Sequence, residues 1–172
     1  MTKQTVGKEL ASEARKAKLC KPWLAEMTKA EDIKPLCEMY FKGDDWAMEK
    51  DFPSLATLRK FEGESDAYGL HTDFKGTAGF VNGTQQNAAF FGKSDAQLDC
   101  APFTVGEVVI RHDSKVKITA KENAFLVVNL LDNGFVEVEA GENSKVTVFK
   151  YGQKSNFRIT GNVEVKEGKF EK

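Results

Sequence analysis

The side chains that most often carry chemistry are scarce in this chain of 172 residues: two histidines, His71 and His112, and three cysteines, Cys20, Cys37 and Cys100. Two imidazoles leave few acid–base or metal schemes to consider. His71 lies in YGLHTD, where the pattern predicts a solvent-facing strand residue. His112 opens a repeat whose other copies begin with Glu122, Asp132 and Glu142, so it reads as an exposed corner. The cysteines form no CxxC pair, and their odd number argues against a disulfide scaffold or zinc finger and for a reducing compartment. Cys20 and Cys37 stand beside Leu19 and Leu36 on helical faces, and Cys100 fills an aliphatic slot; all three read as core in preference to a Cys20, Cys37, His71 metal site. Asp44 and Asp45 are placed to cap a helix, with Glu49 and Asp51 in solvent, rather than to form an acid–base pair. GxSxG, Walker A and dinucleotide motifs are absent, and the GKS at 92–94 lacks a preceding glycine and leads into a strand. These residues predict no catalytic site, no metal and no cofactor, hence a protein that is not an enzyme.

Aromatic residues give the more useful signal. Among 13 phenylalanines, Phe125 and Phe135 occupy the fourth position of successive ten-residue segments, and Lys115 and Lys145 hold that position in the flanking ones. Side chains alternate along a strand, so these four point away from the aliphatic face. Outward phenylalanines must be covered by the protein's own helices, by the 64–92 segment or by a partner, or else lie exposed. The functional reading makes Phe125, Phe135, Lys115, Lys145, Phe149 and Tyr151 an aromatic and basic strip that docks another protein or a second copy. Trp23 and Trp46 sit at helical spacing and read as core.

The elements that position this strip are written in the sequence as a repeat. HDSKVKITAK, ENAFLVVNLL, DNGFVEVEAG and ENSKVTVFKY begin at 112, 122, 132 and 142 without insertion. Positions five and seven are always aliphatic: Val116 and Ile118, Leu126 and Val128, Val136 and Val138, Val146 and Val148. Position two is Asp113, Asn123, Asn133 or Asn143, and position three is small. Each decad is therefore a short strand with one buried face, preceded by a corner where Asn or Asp tolerates the left-handed conformation. One copy cannot bury its own face, but stacked copies can. Two decads per coil predict a roughly twenty-residue rung and a flattened β-solenoid. Asn133-Gly134 and Gly161-Asn162 are also hairpin signals, which keeps an antiparallel β-sandwich as the alternative. Looser matches continue the pattern at 86–92, 94–100 and 153–159, and Val163-Glu164-Val165 reads as a last strand before a charged tail that blunts the open end.

The segment before Gly63 follows a different period. Val6, Leu10, Ala14 and Ala17 mark one face of a helix over 2–19, and Pro22 fits the first turn of the next. Thr28 to Glu31 has the form of a capping box ahead of Ile33, Leu36, Cys37, Tyr40 and Phe41, with Gly43 as the stop. Two more short helices follow, one after Asp44 or Asp45 and one from Pro53. The expectation is an α+β chain, with a helical head over 1–63 and a β-solenoid over 64–172 that is most regular at 112–151.

In its short aliphatic rungs and Asn, Asp and Gly corners, the stretch of about 85–165 resembles the β-solenoid heads of bacterial adhesin-like and bactofilin-like proteins. That resemblance implies architecture alone. The helical segments LCKPW at 19–23 and LCEMYFKGDDWAMEKDFPS at 36–54 resemble the N-terminal region of small proteins encoded in bacteriophages and mobile elements of gut bacteria. This second resemblance implies a context and carries no catalytic residue. Charge adds exclusions: 25 basic and 26 acidic residues give a net charge of −1, and residues 1–63 hold 12 and 11 of them, so no basic head is hidden by an acidic tail. Nucleic-acid binding by bulk charge is not expected. Without an apolar run of about 18 residues or an apolar signal core, the chain reads as soluble and cytoplasmic, with no membrane partner. Three functions are compatible with these features. A non-enzymatic module could bind a protein partner, such as a host defence complex, or itself; a β-helix protein could bind carbohydrate or act on polysaccharide, for which the solenoid offers few outward carboxylates in register, mainly Glu137 and Glu139; a structural subunit could build a phage particle or filament. The scarcity of catalytic types and the outward phenylalanines favour the first.

Overall fold

A computed structural model of the chain describes residues 3–83 and 85–170. The chain divides into two compact units between Tyr68 and Gly69. This division falls five residues beyond the expected 63/64 because a 3-10 turn, Ser65–Tyr68, packs with the third helix of the first unit.

The first unit consists of α1 (Lys3–Lys16), α2 (Lys21–Lys29), α3 (Ile33–Lys42), α4 (Asp44–Lys50) and α5 (Leu55–Arg59). Val6, Leu10, Ala11 and Ala14 of α1 pack with Met27, Leu36, Met39 and Phe52, and Trp23 and Trp46 are partly buried against them. Gly7 permits the close approach of α1 to α2, since a Cβ there would lie 2.3 Å from the Met27 carbonyl oxygen. The expected capping box at Thr28 does not form. Thr28 lies inside α2 and donates its Oγ1 hydrogen to the Leu24 carbonyl at 2.7 Å, while Asp32 caps α3 by accepting from the Lys34 N–H at 3.1 Å. Gly43 both ends α3 and precedes α4, so Asp44 and Asp45 occupy the first turn of α4 instead of capping it.

The second unit is a β-solenoid. Its strands, β1 to β11 in chain order, are Leu70–Thr72, Lys75–Phe80, Gln85–Phe91, Asp95–Cys100, Val105–Ile110, Lys115–Ala120, Phe125–Leu130, Phe135–Ala140, Lys145–Lys150, Asn156–Thr160 and Val163–Glu167. Odd strands form one sheet in the order β1-β3-β5-β7-β9-β11, even strands the other in the order β10-β8-β6-β4-β2, and all pairings are parallel. We call these the odd and even sheets. The antiparallel sandwich is thereby overturned: Asn133-Gly134 turns the chain from one sheet to the other, as does Gly161-Asn162, and neither closes a hairpin. The register repeats at twenty residues, Asp95 to Lys115 to Phe135 in the even sheet and Val105 to Phe125 to Lys145 in the odd one.

Between the sheets lies one core running through every rung. Leu98, Ile118 and Val138 form a fully buried column in the even sheet, and Val108, Val128 and Val148 do so in the odd sheet. Position nine joins positions five and seven inside, as Ala120 and Leu130 show. Cys100 is fully buried in its aliphatic slot, as the repeat predicts. At the first rung large rings fill the same space: His71 stacks on Phe90 with ring centroids 4.9 Å apart and contacts Phe74 at 4.7 Å. His71 is only 7% exposed, which corrects the expected solvent-facing strand residue. Its side chain points inward because β1 pairs with β3 so that His71 aligns with the inward Phe90.

Candidate functional site

The corners between strands are of two kinds, and they decide which side chains the solenoid displays. Where the chain passes from the odd to the even sheet, the left-handed residue is His112 (φ 58°) or Asp132 (φ 53°), with Gly92 at the equivalent place. There each side chain accepts the backbone N–H one rung earlier. His112 Nδ1 takes the Gly92 N–H at 3.0 Å, and Asp132 Oδ2 takes the His112 N–H at 2.9 Å and the Arg111 Nε–H at 3.1 Å. Asp113 and Asn133 stack beside this ladder through an Nδ2–H···Oδ1 bond of 3.0 Å. His112 is thus a partly buried structural acceptor, bound to the rungs on either side.

At the first four passages from the even to the odd sheet the left-handed residue comes one place later: Gly83, Phe103, Asn123 and Asn143, with φ between 55° and 76°. Glycine and asparagine suit that conformation, whereas a bulky aromatic does not. Phe103 is held there because its N–H donates to the Glu122 carbonyl at 3.1 Å, as the Asn123 N–H does to Glu142 one rung on. The residue is nevertheless 60% exposed. A strained backbone that supports an exposed aromatic is a pointer to function, because packing alone does not require it.

Two residues beyond this corner, Val105 begins β5 and stands in register with Phe125 of β7, which stands in register with Lys145 of β9. Adjacent parallel strands are about 4.8 Å apart, so these outward side chains are immediate neighbours. Val105 is 47% and Phe125 48% exposed, and Lys145 is exposed beside them. Val105, Phe125 and Lys145 therefore define a row on the odd sheet that is apolar with a cationic end, and Phe103 lies at the corner two residues before it. Among the expected site residues, the structure brings only Phe125 and Lys145 into this row. Phe149 shares the same sheet but lies four residues along it, roughly 13 Å away, and is partly buried in register with Asn129. Tyr151 is partly buried at the following corner and stacks on Phe170, with centroids 4.7 Å apart.

Phe135 and Lys115 are neighbours of each other on the even sheet. The single strip anticipated from the decads is thus divided between two opposite sheets, because successive decads alternate between sheets and only every second copy shares a face. The even sheet is otherwise polar on its outer side, with Asp95, Gln97 and Asp99 on β4, Lys117 on β6, and Glu137 and Glu139 on β8. Glu139 pairs with Lys117 at 3.4 Å. Sequence reasoning missed Phe103 and Val105 because Gly106 takes the place of an aliphatic residue and interrupts the repeat. A Cβ at Gly106 would lie 2.6 Å from the Phe80 ring, which occupies the vacated volume.

Among the described residues no group of three or more His, Cys, Asp or Glu side chains converges in a way that would hold a metal ion. Cys37 and Cys100 are buried, and burial pushes both thiols up to about 12, with the neighbouring Glu38 and Asp99 adding to the effect. Cys20, expected in the core, is exposed at the residue preceding α2. No helix among the described residues is long and apolar enough to cross a membrane. Comparison with protein-family models, with curated proteins and with solved structures finds no match to this chain.

Proposed function

We propose that this is a non-enzymatic protein-interaction module that docks a protein partner on the apolar row of the odd sheet. The observation that carries the reading is the exposure of Phe103, Val105 and Phe125 together, with Phe103 held in a backbone conformation unfavourable to it. Large apolar side chains left in water at neighbouring positions mark interaction sites, and aromatic anchors dominate the energy of such sites. Lys145 at the end of the row supplies a charge that orients a partner with an acidic rim. The resemblance of the helical segments to bacteriophage and mobile-element proteins favours a cytoplasmic host complex, such as a defence system, as the partner. Scarcity of acid–base and nucleophilic side chains supports a role without catalysis.

The test is capture of bacterial host proteins by the full chain, followed by binding of the purified partner to wild type and to Val105→Ser/Phe125→Ser. The reading expects a reproducible partner whose affinity falls at least tenfold in the double variant and is unchanged in Glu137→Gln on the opposite sheet. A partner insensitive to the double variant, or lost with Glu137→Gln, would remove this row as the docking site.

A further inference from the structure

The last rung differs from the first in a way that bears on association. At the first rung the core is closed by His71, Phe74 and Phe90, and all three residues of β1 are buried. At the other end β10 and β11 are the outermost strands of their sheets, so each presents one row of backbone donors and acceptors unpaired within the described sheets. Phe157 continues the core column from Val136, Ile159 from Val138, Val163 from Val146 and Val165 from Val148. Yet Ile159 is 38% exposed, and the other three are only partly buried. The described tail, to Phe170, does not fold across them. The Gly168 N–H donates to the Lys150 carbonyl at 2.8 Å, and Phe170 stacks on Tyr151, so the described tail runs on along the preceding rung instead of covering the end. Solenoid ends are closed by a polar terminal cap, and no described residue of this unit lies across this rung.

We propose that this end pairs with a second copy of the chain, β11 against β11 and antiparallel, around a two-fold axis at Val165. The charge pattern selects that occupant. Glu164 and Lys166 flank Val165 on the outward face, both side chains half exposed, and their own ion pair of 3.5 Å lies in solvent. In an antiparallel pair centred on Val165, Glu164 of each copy stands directly opposite Lys166 of the other, and Val165 meets Val165 over the open core. The sequence Glu-Val-Lys is thus complementary to itself under this symmetry and no other register pairs both charges. A head-to-tail stack would set β11, five residues long, against β1, which is three buried residues, and so would leave part of β11 without a partner strand. Such an isologous contact closes at two copies.

Light scattering of the full chain over a concentration series decides the matter. Wild type should give twice the 19.1 kDa chain mass. Lys166→Glu and Glu164→Lys, which set like charges opposite one another, should each weaken dimerisation about tenfold or more. An equimolar mixture of the two should recover the dimer, as should the swapped double variant. Circular dichroism and thermal melting check that each single variant stays folded, as expected for exposed sites. A wild-type mass of one chain at every concentration overturns the proposal, and so does a dimer that neither charge variant weakens. Phe125→Ser should keep the dimer; its loss in that variant alone would place the second copy on the phenylalanine row and sink edge pairing, whereas a monomeric wild type would leave partner docking on that row intact.

Discussion

Cys37 and Cys100 show how burial sets chemistry for single residues. A thiol reacts as its thiolate, and burial both hides Cys37 and Cys100 and raises them to about 12, so the exposed Cys20 is the thiol a reagent reaches. An aromatic disulfide reagent at pH 8 should titrate one thiol in the native protein and three in denaturant; rapid titration of three in the native state would contradict the packing described. The same shifts fix a pH dependence. Because both folded-state values lie above the ordinary 9.0, their contribution to stability is full below pH 9 and lost as pH rises toward 12, so the denaturation midpoint should be lower at pH 10 than at pH 8. Single residues were the least legible part of the sequence. Cys100 was readable because its slot belongs to a repeated column, but Cys20 and His71 were not, since their orientation depends on where an element begins and on the register of β1 with β3. Hydrophobic patterning states that a strand exists before it states which neighbour aligns with it.

At the scale of the element, the decad gave the strands and concealed the difference between the corners. Position two is Asp or Asn in all four regular copies, yet only Asn123 and Asn143 are left-handed; on the other side the same backbone task falls to His112 and Asp132, whose side chains accept amides one rung away. Phe103 occupies the asparagine position of its corner, which yields a stability prediction. Phe103→Asn should raise the melting temperature, by the equivalent of about 1 kcal/mol, as left-handed strain is relieved and no buried contact is lost, while it weakens partner binding. Destabilisation by this change would mean that the ring is structural. Depth along the stack gives a second contrast. Ile118 and Ile159 belong to one column through Val138, the first fully buried and the second 38% exposed. In the Lys166→Glu background Ile118→Ala should cost about 3 kcal/mol and Ile159→Ala about 1 or less, by chemical denaturation. Equal costs would show that the last rung is covered within a single chain.

For the whole molecule, the change of period from helical to two-residue spacing made the α+β architecture and the parallel coil readable without any relative to guide them. The candidate site was half readable. Phe125 and Lys145 emerged from the repeat, but grouping all four decads into one strip passed over what two decads per coil entail: successive decads lie on opposite sheets, which separates Phe135 and Lys115 from them. Near neutrality, with a net charge of −1, provides no strong long-range field, so the proposed docking rests on local apolar surface. The central claim is that one sheet, and not the other, meets a partner. Photo-crosslinking in the bacterial host tests it most directly, with a photoreactive residue placed at Phe125 in one protein and at Glu137 in another. The account predicts a discrete crosslinked partner from position 125 that disappears with Val105→Ser and is absent from position 137. Equal crosslinking from both positions, or from 137 alone, would contradict it.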